Sequence, residues 1–551
     1  MKSVLRISSI ALLAALALPL HGHAQSVRQS GQSESGMVSA AHPLATEVGV
    51  QILEMGGNAA DAAVAAGFAI AIVEPTMNSI AGRNQILVRS SDGTFHGIDG
   101  TTQAPWDYDA ETAPQASYGY PVIGIPGALA GLIKLHEEHG SLPLRDLMAP
   151  AIELAEHGFR VLPGDAMRQA FGAAQALEFP GTAAAYYKPD GSSHRAGDIL
   201  RQPDYANTLR MIAASGRDVF YEGEIAERMI EDLRANGSVM NMEALADYEA
   251  LDSRIVRGSY RGYDLIGMDV PAAGVLSIQA LQIMENFDPS EMSEAEWFAI
   301  TGQALRMASG ELRVLGSDTA AVRATSKEYA RQLAAEVMAP AMQPAGLTAP
   351  VPVLEERGDQ YGGHTTHLST ADANGMFVSL TQTLGPNMGS KVVTPGLGFL
   401  YASTLGGYLG PVPGGFRARS NICPFIVMKD GEVILVLGAA GGGMIPPAVV
   451  HAITRVIDFD MSLPEALAEP RVAGGAGGRF NAETSPFIGW TEAEMAEMRS
   501  LGIDINPTPR SGAFGRVHGI QYDPATGTWT GAADPDWEGS ARGPVIMPGG
   551  N

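Results

Sequence analysis

Tyr361 to Gly389 reads YGGHTTHLSTADANGMFVSLTQTLGPNMG, and the fold turns on how this stretch is read. Thr365 to Ala371 and Met376 to Thr383 are rich in Thr, Leu, Phe and Val, and Asn374-Gly375 lies between them. Two such runs around Asn-Gly predict an antiparallel hairpin, because Asn and Gly tolerate the left-handed backbone of a tight turn. The first strand begins at Thr365. If the chain were cut before that residue, one threonine would carry both a hydroxyl nucleophile and a free α-amine able to act as its general base. Taken alone, the same string also fits an ordinary hairpin whose threonines serve β propensity.

Working outward, strand pairs are expected at both ends of the chain. Gln85 to Val88 and Thr94 to Asp99 flank Asp92-Gly93, and Pro424 to Met428 and Glu432 to Leu437 flank Asp430-Gly431. Both are hairpin signals of the same kind. Near the start, Met37 to Ala40 suits a short strand, and Ala45 to Met55 has helical spacing that stops at Gly56-Gly57. Asn58 is expected to cap a helix over Ala59 to Ile72, AADAAVAAGFAIAI, whose small apolar residues suit packing on both sides. From about Leu129 to Ala339 the chain is mostly amphipathic helix, in segments that each end near a glycine or a turn. Strands early and late with helices between them predict an α/β sandwich whose sheets draw on both ends of the chain. The polar string from Gln25 to Ser35 is expected to be a flexible lead-in, with order beginning near Gly36, and Met342 to Arg357 reads as an exposed linker.

Composition narrows the class. With 551 residues, 45% hydrophobic and 17% charged, the chain can bury a large core. MKSVLRISSIALLAALALPLHGHAQ has Lys2 and Arg6 before an apolar run and ends in a small-x-small pattern, so residues 1–24 are expected to be a signal peptide cut after Ala24. The run from Ile10 to Leu20 is too short to span a bilayer as a helix. A periplasmic or secreted location follows. Loss of this leader leaves 34 basic against 60 acidic side chains, a formal charge of −26 that should repel nucleic acid and anionic lipid. Cys423, the single cysteine, lies in the apolar string SNICPFIVM and reads as buried and structural.

Chemistry beyond the hairpin is suggested by LGAAGGGMIPPAVVHAITRVI, where Gly438 and Gly441 to Gly443 precede a helix expected to start near Pro446. Consecutive backbone N–H groups in a glycine turn, reinforced by a helix start, can stabilise an oxyanion. His364 and His367 do not suggest a metal pair, since residues three apart on a strand face opposite sides. No metal and no cofactor is expected.

Several motifs together make the sequence resemble the γ-glutamyltransferase family of N-terminal-nucleophile hydrolases over nearly all of the chain after the leader. They are GGNAADAAVAAGFAIAIVEP (Gly56 to Pro75), GIPGALAGLIKLHEEHGSLPL (Gly124 to Leu144), YRGYDLIGM (Tyr260 to Met268), IMENFD (Ile283 to Asp288), AADP (Ala532 to Pro535), and Thr365-Thr366-His367 after His364. The resemblance implies an αββα sandwich made of two subunits from one self-cleaved precursor. The cut would fall between His364 and Thr365, giving a large subunit over residues 25–364 and a small one over 365–551. It further implies that Thr365 is the nucleophile, that Thr383 is the threonine hydrogen-bonded to it, and that Gly441 and Gly442 form the oxyanion hole.

Recognition positions depart from the family pattern. Where the resemblance leads one to expect a carboxylate-binding arginine stands Thr101, and where it leads one to expect an amine-binding aspartate stands Gly407. Thr404 replaces a glutamine, Gly385 an asparagine, and Ser420-Asn421 keeps half of a serine pair. Arg83 and Arg419 are newcomers that can grip a carboxylate or serve elsewhere as surface charges, and Arg419, beside Ser420, is the stronger candidate on sequence. The reading is a secreted amide hydrolase or acyl transferase for a small-molecule amide whose acyl group is not γ-glutamyl. Two alternatives stay open: a true γ-glutamyl enzyme with a rearranged pocket, and an inactive binding protein on the same fold.

Overall fold

A computed structural model of the chain describes residues 29–312, 318–337, 364–407, 409, 412–474, 479–484, 489–509, 514–535 and 537–545. The expected leader and the Met342 to Arg357 linker lie outside them. Two seven-stranded antiparallel sheets form the centre. The first runs, in spatial order, Ser30–Ser33, Thr528–Ala533, Arg516–Asp523, Glu432–Ala440, Phe425–Lys429, Tyr263–Met268 and Ile255–Tyr260. The second runs Ser540–Arg542, Gly36–Ala40, Thr366–Asp372, Phe377–Thr383, Arg83–Arg89, Phe95–Gly100 and Leu251–Asp252. Thr366–Asp372 and Phe377–Thr383 therefore sit in the middle of the second sheet.

Side-chain alternation builds the layers. On Arg83–Arg89, Leu87 points into a core between the two sheets while Ile86 and Val88 point outward into a helix-covered core. On the first sheet Ile426 and Val436 join the inter-sheet core, whereas Phe425, Val427, Leu435 and Leu437 face the opposite helix layer. Helices Pro43–Glu54, Ala59–Val73, Ala128–His139 and Leu144–His157 cover the second sheet, and Gly274–Met284 with Ile445–Asp458 cover the first. Three cores separating four layers make an αββα sandwich.

Local chemistry sets the hairpins and the central helix. Asp430 and Gly431 at the turn before Glu432–Ala440 have φ of 54° and 88°, the left-handed pair that an Asp-Gly turn supplies. Asn58 caps Ala59–Val73 through a capping box with Asp61, and every residue of that helix is buried. One expectation is corrected. Ser30–Ser33, within the supposed flexible lead-in, is an edge strand registered against Thr530 and its neighbours on Thr528–Ala533. Backbone pairing holds this polar strand, so its lack of apolar residues was no guide to its order.

Candidate active site

Register brings three side chains into one row. Thr366 pairs with Gln382 and Thr383 pairs with Arg83, so Thr365, one residue before its strand, falls in line with Thr383 and Arg83. Opposed residues on adjacent strands share a face. All three line a cavity of about 30 Å³ together with His364, Gly385, Ser420, Asn421 and Gly442, closed by Leu409, Ile422 and Ile445. Thr365 and Thr383 are both buried.

The two hydroxyls converge on one carbonyl. Thr365 Oγ1 lies against the carbonyl oxygen of His364 and donates to Thr383 Oγ1 at 3.1 Å. Thr383 Oγ1 in turn donates to the His364 carbonyl at 2.7 Å and accepts from the Gly385 N–H at 2.9 Å. Gly385, where the family pattern has asparagine, therefore contributes through its backbone. A hydroxyl nucleophile, a polarised amide carbonyl and a second hydroxyl between them can carry out an N-to-O acyl shift.

Across the cavity the glycine turn ends Glu432–Ala440. Gly441 has φ 135° and Gly442 φ 54°, and a Cβ on Gly441 would lie 2.8 Å from the Gly515 Cα. Gly442 lines the cavity, and Gly441 stands one residue behind it. Helix Ile445–Asp458 follows with Pro446 in its first turn, one residue from the start expected on sequence. Exposed N–H groups at a helix start favour developing negative charge.

The recognition residues separate. Arg83 is 2% exposed, lines the cavity, and donates to the Ser403 carbonyl at 3.4 Å. Arg419 is exposed and is not among the cavity-lining residues, although its neighbours Ser420 and Asn421 are. Of the two arginines, Arg83 is thus the one brought to the cavity. Thr101 is buried and accepts from Gln85 Nε2 at 2.7 Å, beside an Asp99 carboxylate that pairs with Arg417 at 3.1 Å. Gly407 is exposed, and Thr404 is buried against Gly124.

Other candidates resolve as structural. His367 packs between Thr381 Oγ1 at 2.7 Å and Ser369 Oγ at 3.1 Å, and burial lowers its pKa well below the ordinary value. Cys423 is buried against Ser277 Oγ at 3.2 Å, and burial pushes its thiol up to about 12, far from a thiolate at neutral pH. Among the described residues, the single cluster of three side chains with metal-ligand chemistry is Glu153, Glu156 and His157, all exposed. Leu409, Ile422 and Ile445 were not anticipated as cavity walls, because isolated apolar residues in loops and a helix start carry no local signature.

The family model described as Gamma-glutamyltranspeptidase matches residues 45–543. An Acylase ACY 1 proenzyme from Pseudomonas sp. (strain SE83) is 33% identical over 95% of each chain. A Glutathione hydrolase proenzyme from Escherichia coli (strain K12) is 30% identical over 82% of this chain and 83% of its own length. Among solved structures, cephalosporin acylase from Bacillus halodurans superposes with a TM-score of 0.83 at 26% identity, covering 98% of this chain and all of that one.

Proposed function

The chain belongs to the gamma-glutamyltranspeptidase family and is an amidohydrolase of the N-terminal-nucleophile type, and on that premise we propose that Thr365, freed by cleavage of the His364–Thr365 bond, is its nucleophile. The observation that carries this reading is the contact of Thr365 Oγ1 with the His364 carbonyl, shared by Thr383.

In the self-cleavage step Thr365 Oγ1 attacks the His364 carbonyl carbon. Its proton passes toward Thr383 Oγ1, which hands its own to the carbonyl oxygen. The C–N bond then breaks as the proton on that oxygen passes to the departing nitrogen, restoring the carbonyl as an ester on Thr365 Oγ1 and leaving a free amine. Water hydrolyses the ester, so His364 ends in a carboxylate and Thr365 begins the small subunit over residues 365–551, with 25–364 as the large one. The proenzyme names of the relatives support two subunits from one precursor.

In turnover the Thr365 amine takes the hydroxyl proton, Oγ1 attacks the substrate amide, and the proton goes to the departing amine. N–H groups at Gly441 and Gly442 face the developing oxyanion. Water, or an acceptor amine, releases the acyl group. No step calls on a metal or cofactor. The leader over residues 1–24 supports export, and no described helix is long and apolar enough to cross a membrane.

The acyl group follows from charge. A γ-glutamyl head carries a carboxylate and an ammonium, and burying either without a partner costs several kcal/mol. Neither Thr101 nor Gly407 offers a charge, while Arg83 brings one cation to the cavity wall. This favours an acyl group with a carboxylate and no ammonium, such as a short dicarboxylic half-amide. Among the relatives, the acylase names support this reading and the glutathione hydrolase names support the γ-glutamyl alternative. The test compares succinyl, glutaryl, neutral acyl and γ-glutamyl anilides, with Thr365→Ala as blank and Arg83→Gln as probe. The dicarboxylic anilides should be turned over best, and Arg83→Gln should lower kcat/KM for them about a hundredfold while sparing the neutral anilide, the scale of a lost buried charge pair. Preference for γ-glutamyl anilide by a wide margin would overturn the substrate assignment.

A further inference from the structure

The two threonines are held by one short segment that does not itself line the cavity. We propose that the Glu74–Asn78 turn, anchored by Arg168, is a positioning element that sets the distance between Thr365 and Thr383, with Glu74 acting through Thr366. The inference rests on Thr365 being the nucleophile and deepens that reading.

Alternation along the strand carries the first half. Thr365 faces the cavity, so Thr366 points to the helix side, where its Oγ1 donates to Glu74 Oε2 at 2.7 Å. Glu74 ends helix Ala59–Val73, is 2% exposed, and meets Arg168 Nη2 through its other oxygen at 3.4 Å. The residue next to the nucleophile is thus tied to a buried carboxylate that cannot swing toward solvent.

Three further bonds hold the end of the other strand and the loop after it to the same turn. Gln382 Nε2 donates to Asn78 Oδ1 at 2.9 Å, the Leu384 N–H to the Met77 carbonyl at 3.0 Å, and the Met388 N–H to the Thr76 carbonyl at 2.7 Å. Thr383 lies between the first two of these anchors. Arg168 closes the arrangement: its Nε donates to Thr76 Oγ1 at 3.1 Å, its guanidinium pairs with Asp165 and lies 4.7 Å from the Trp537 ring centroid. A buried carboxyl group held by one hydroxyl donor and one guanidinium has definite geometry, because losing either partner leaves a buried polar atom unpaired. Four of the five residues from Glu74 to Asn78 therefore fix both strands at the level of the threonine pair, where misplacement by an ångström is felt in rate.

The experiment measures self-cleavage rate, and kcat and KM on the best anilide, per mole of cleaved chain. The variants are Thr366→Val, Thr366→Ser, Glu74→Gln and the double variant Glu74→Gln/Thr366→Val, with Thr365→Ala as reference. Thr366→Val should slow self-cleavage and kcat by about tenfold or more with KM changed less than about twofold, as expected of geometry lost at the reacting atoms. Thr366→Ser, which keeps the hydroxyl, should recover most of both rates. The double variant should be no slower than its slower parent, since the two residues act through one bond. Unchanged kcat in cleaved Thr366→Val, with only a lower Tm, would overturn the inference and leave the nucleophile reading standing. Turnover that survives Thr365→Ala would overturn both.

Discussion

Thr383 Oγ1 donates to the carbonyl oxygen of His364 across 2.7 Å and accepts from Thr365 Oγ1 across 3.1 Å. One side chain thereby touches both the carbonyl and the hydroxyl at the His364–Thr365 bond, the electrophile and nucleophile of the self-cleavage proposed above. It can polarise the carbonyl and move a proton from the attacking oxygen to the carbonyl oxygen without a separate base. Its own orientation is fixed from behind by the Gly385 N–H.

Replacing this hydroxyl should therefore slow self-cleavage. Thr383→Val, which preserves shape, is expected to reduce the rate about 10²- to 10³-fold, the range for loss of one donor to a developing oxyanion. Thr383→Ser should retain most of the rate. A time course of precursor and fragments by denaturing electrophoresis measures both.

The glycine turn gives a second expectation. Gly441 adopts φ 135°, which residues with a Cβ rarely reach, and a Cβ there would meet the Gly515 Cα at 2.8 Å. Gly441→Ala should shift the turn, pull its N–H groups off the oxyanion, and lower kcat by about 10²-fold or more. Circular dichroism separates this from unfolding, since the αββα layers do not depend on the turn.

Stability should fall in mild acid. His42, His367, His451 and His518 are buried, and burial lowers all four pKa values, to about 3 for His42 and His518. Below pH 6.5 the unfolded chain protonates these rings and the folded chain does not. Stability then drops by about 1.4 kcal/mol per pH unit for each. Asp165 opposes this: burial raises its carboxyl to about 7 despite Arg168, so between about pH 4 and 7 the folded state holds a proton that the unfolded state lacks, and stability there falls as pH rises. Glu74, also raised by burial, acts in the same sense as Asp165. Asp458, raised to about 6 by burial, and Asp232 and Glu294, also raised by burial, act likewise, while His139 and His194, lowered by burial, add to the rings. Six rings outweigh five carboxyls, so Tm should fall from pH 6.5 to 4.5, and His518→Gln should flatten the profile. Thermal melts across that range check the sign.

Much of this was legible in the sequence because it is local chemistry. Asp92-Gly93, Asn374-Gly375 and Asp430-Gly431 mark their hairpins by turn conformation alone, and Asn58 marks the start of the all-buried helix. The threonine pair followed from family motifs. What stayed hidden depends on partners distant in the chain. Ser30–Ser33 is ordered by a strand some five hundred residues later, which no composition reveals. Ranking Arg419 first from its neighbour Ser420 missed that Arg83 pairs with Thr383 across the sheet, which brings Arg83 to the cavity. Glu74 gave one weak signal, a carboxylate closing the otherwise apolar end of a helix, and its meaning required Thr366 and Arg168 from elsewhere.

On the function proposed above, the chain cuts itself before Thr365 to make its own nucleophile. The most direct measurement is the mass and N-terminal sequence of the fragments formed when purified, folded precursor is incubated without protease. We predict a small chain beginning Thr-Thr-His-Leu-Ser, its absence in Thr365→Ala, and anilide turnover that rises in step with its appearance. A single uncut chain that is nonetheless active, or a cut at any other bond in the active enzyme, would contradict the account.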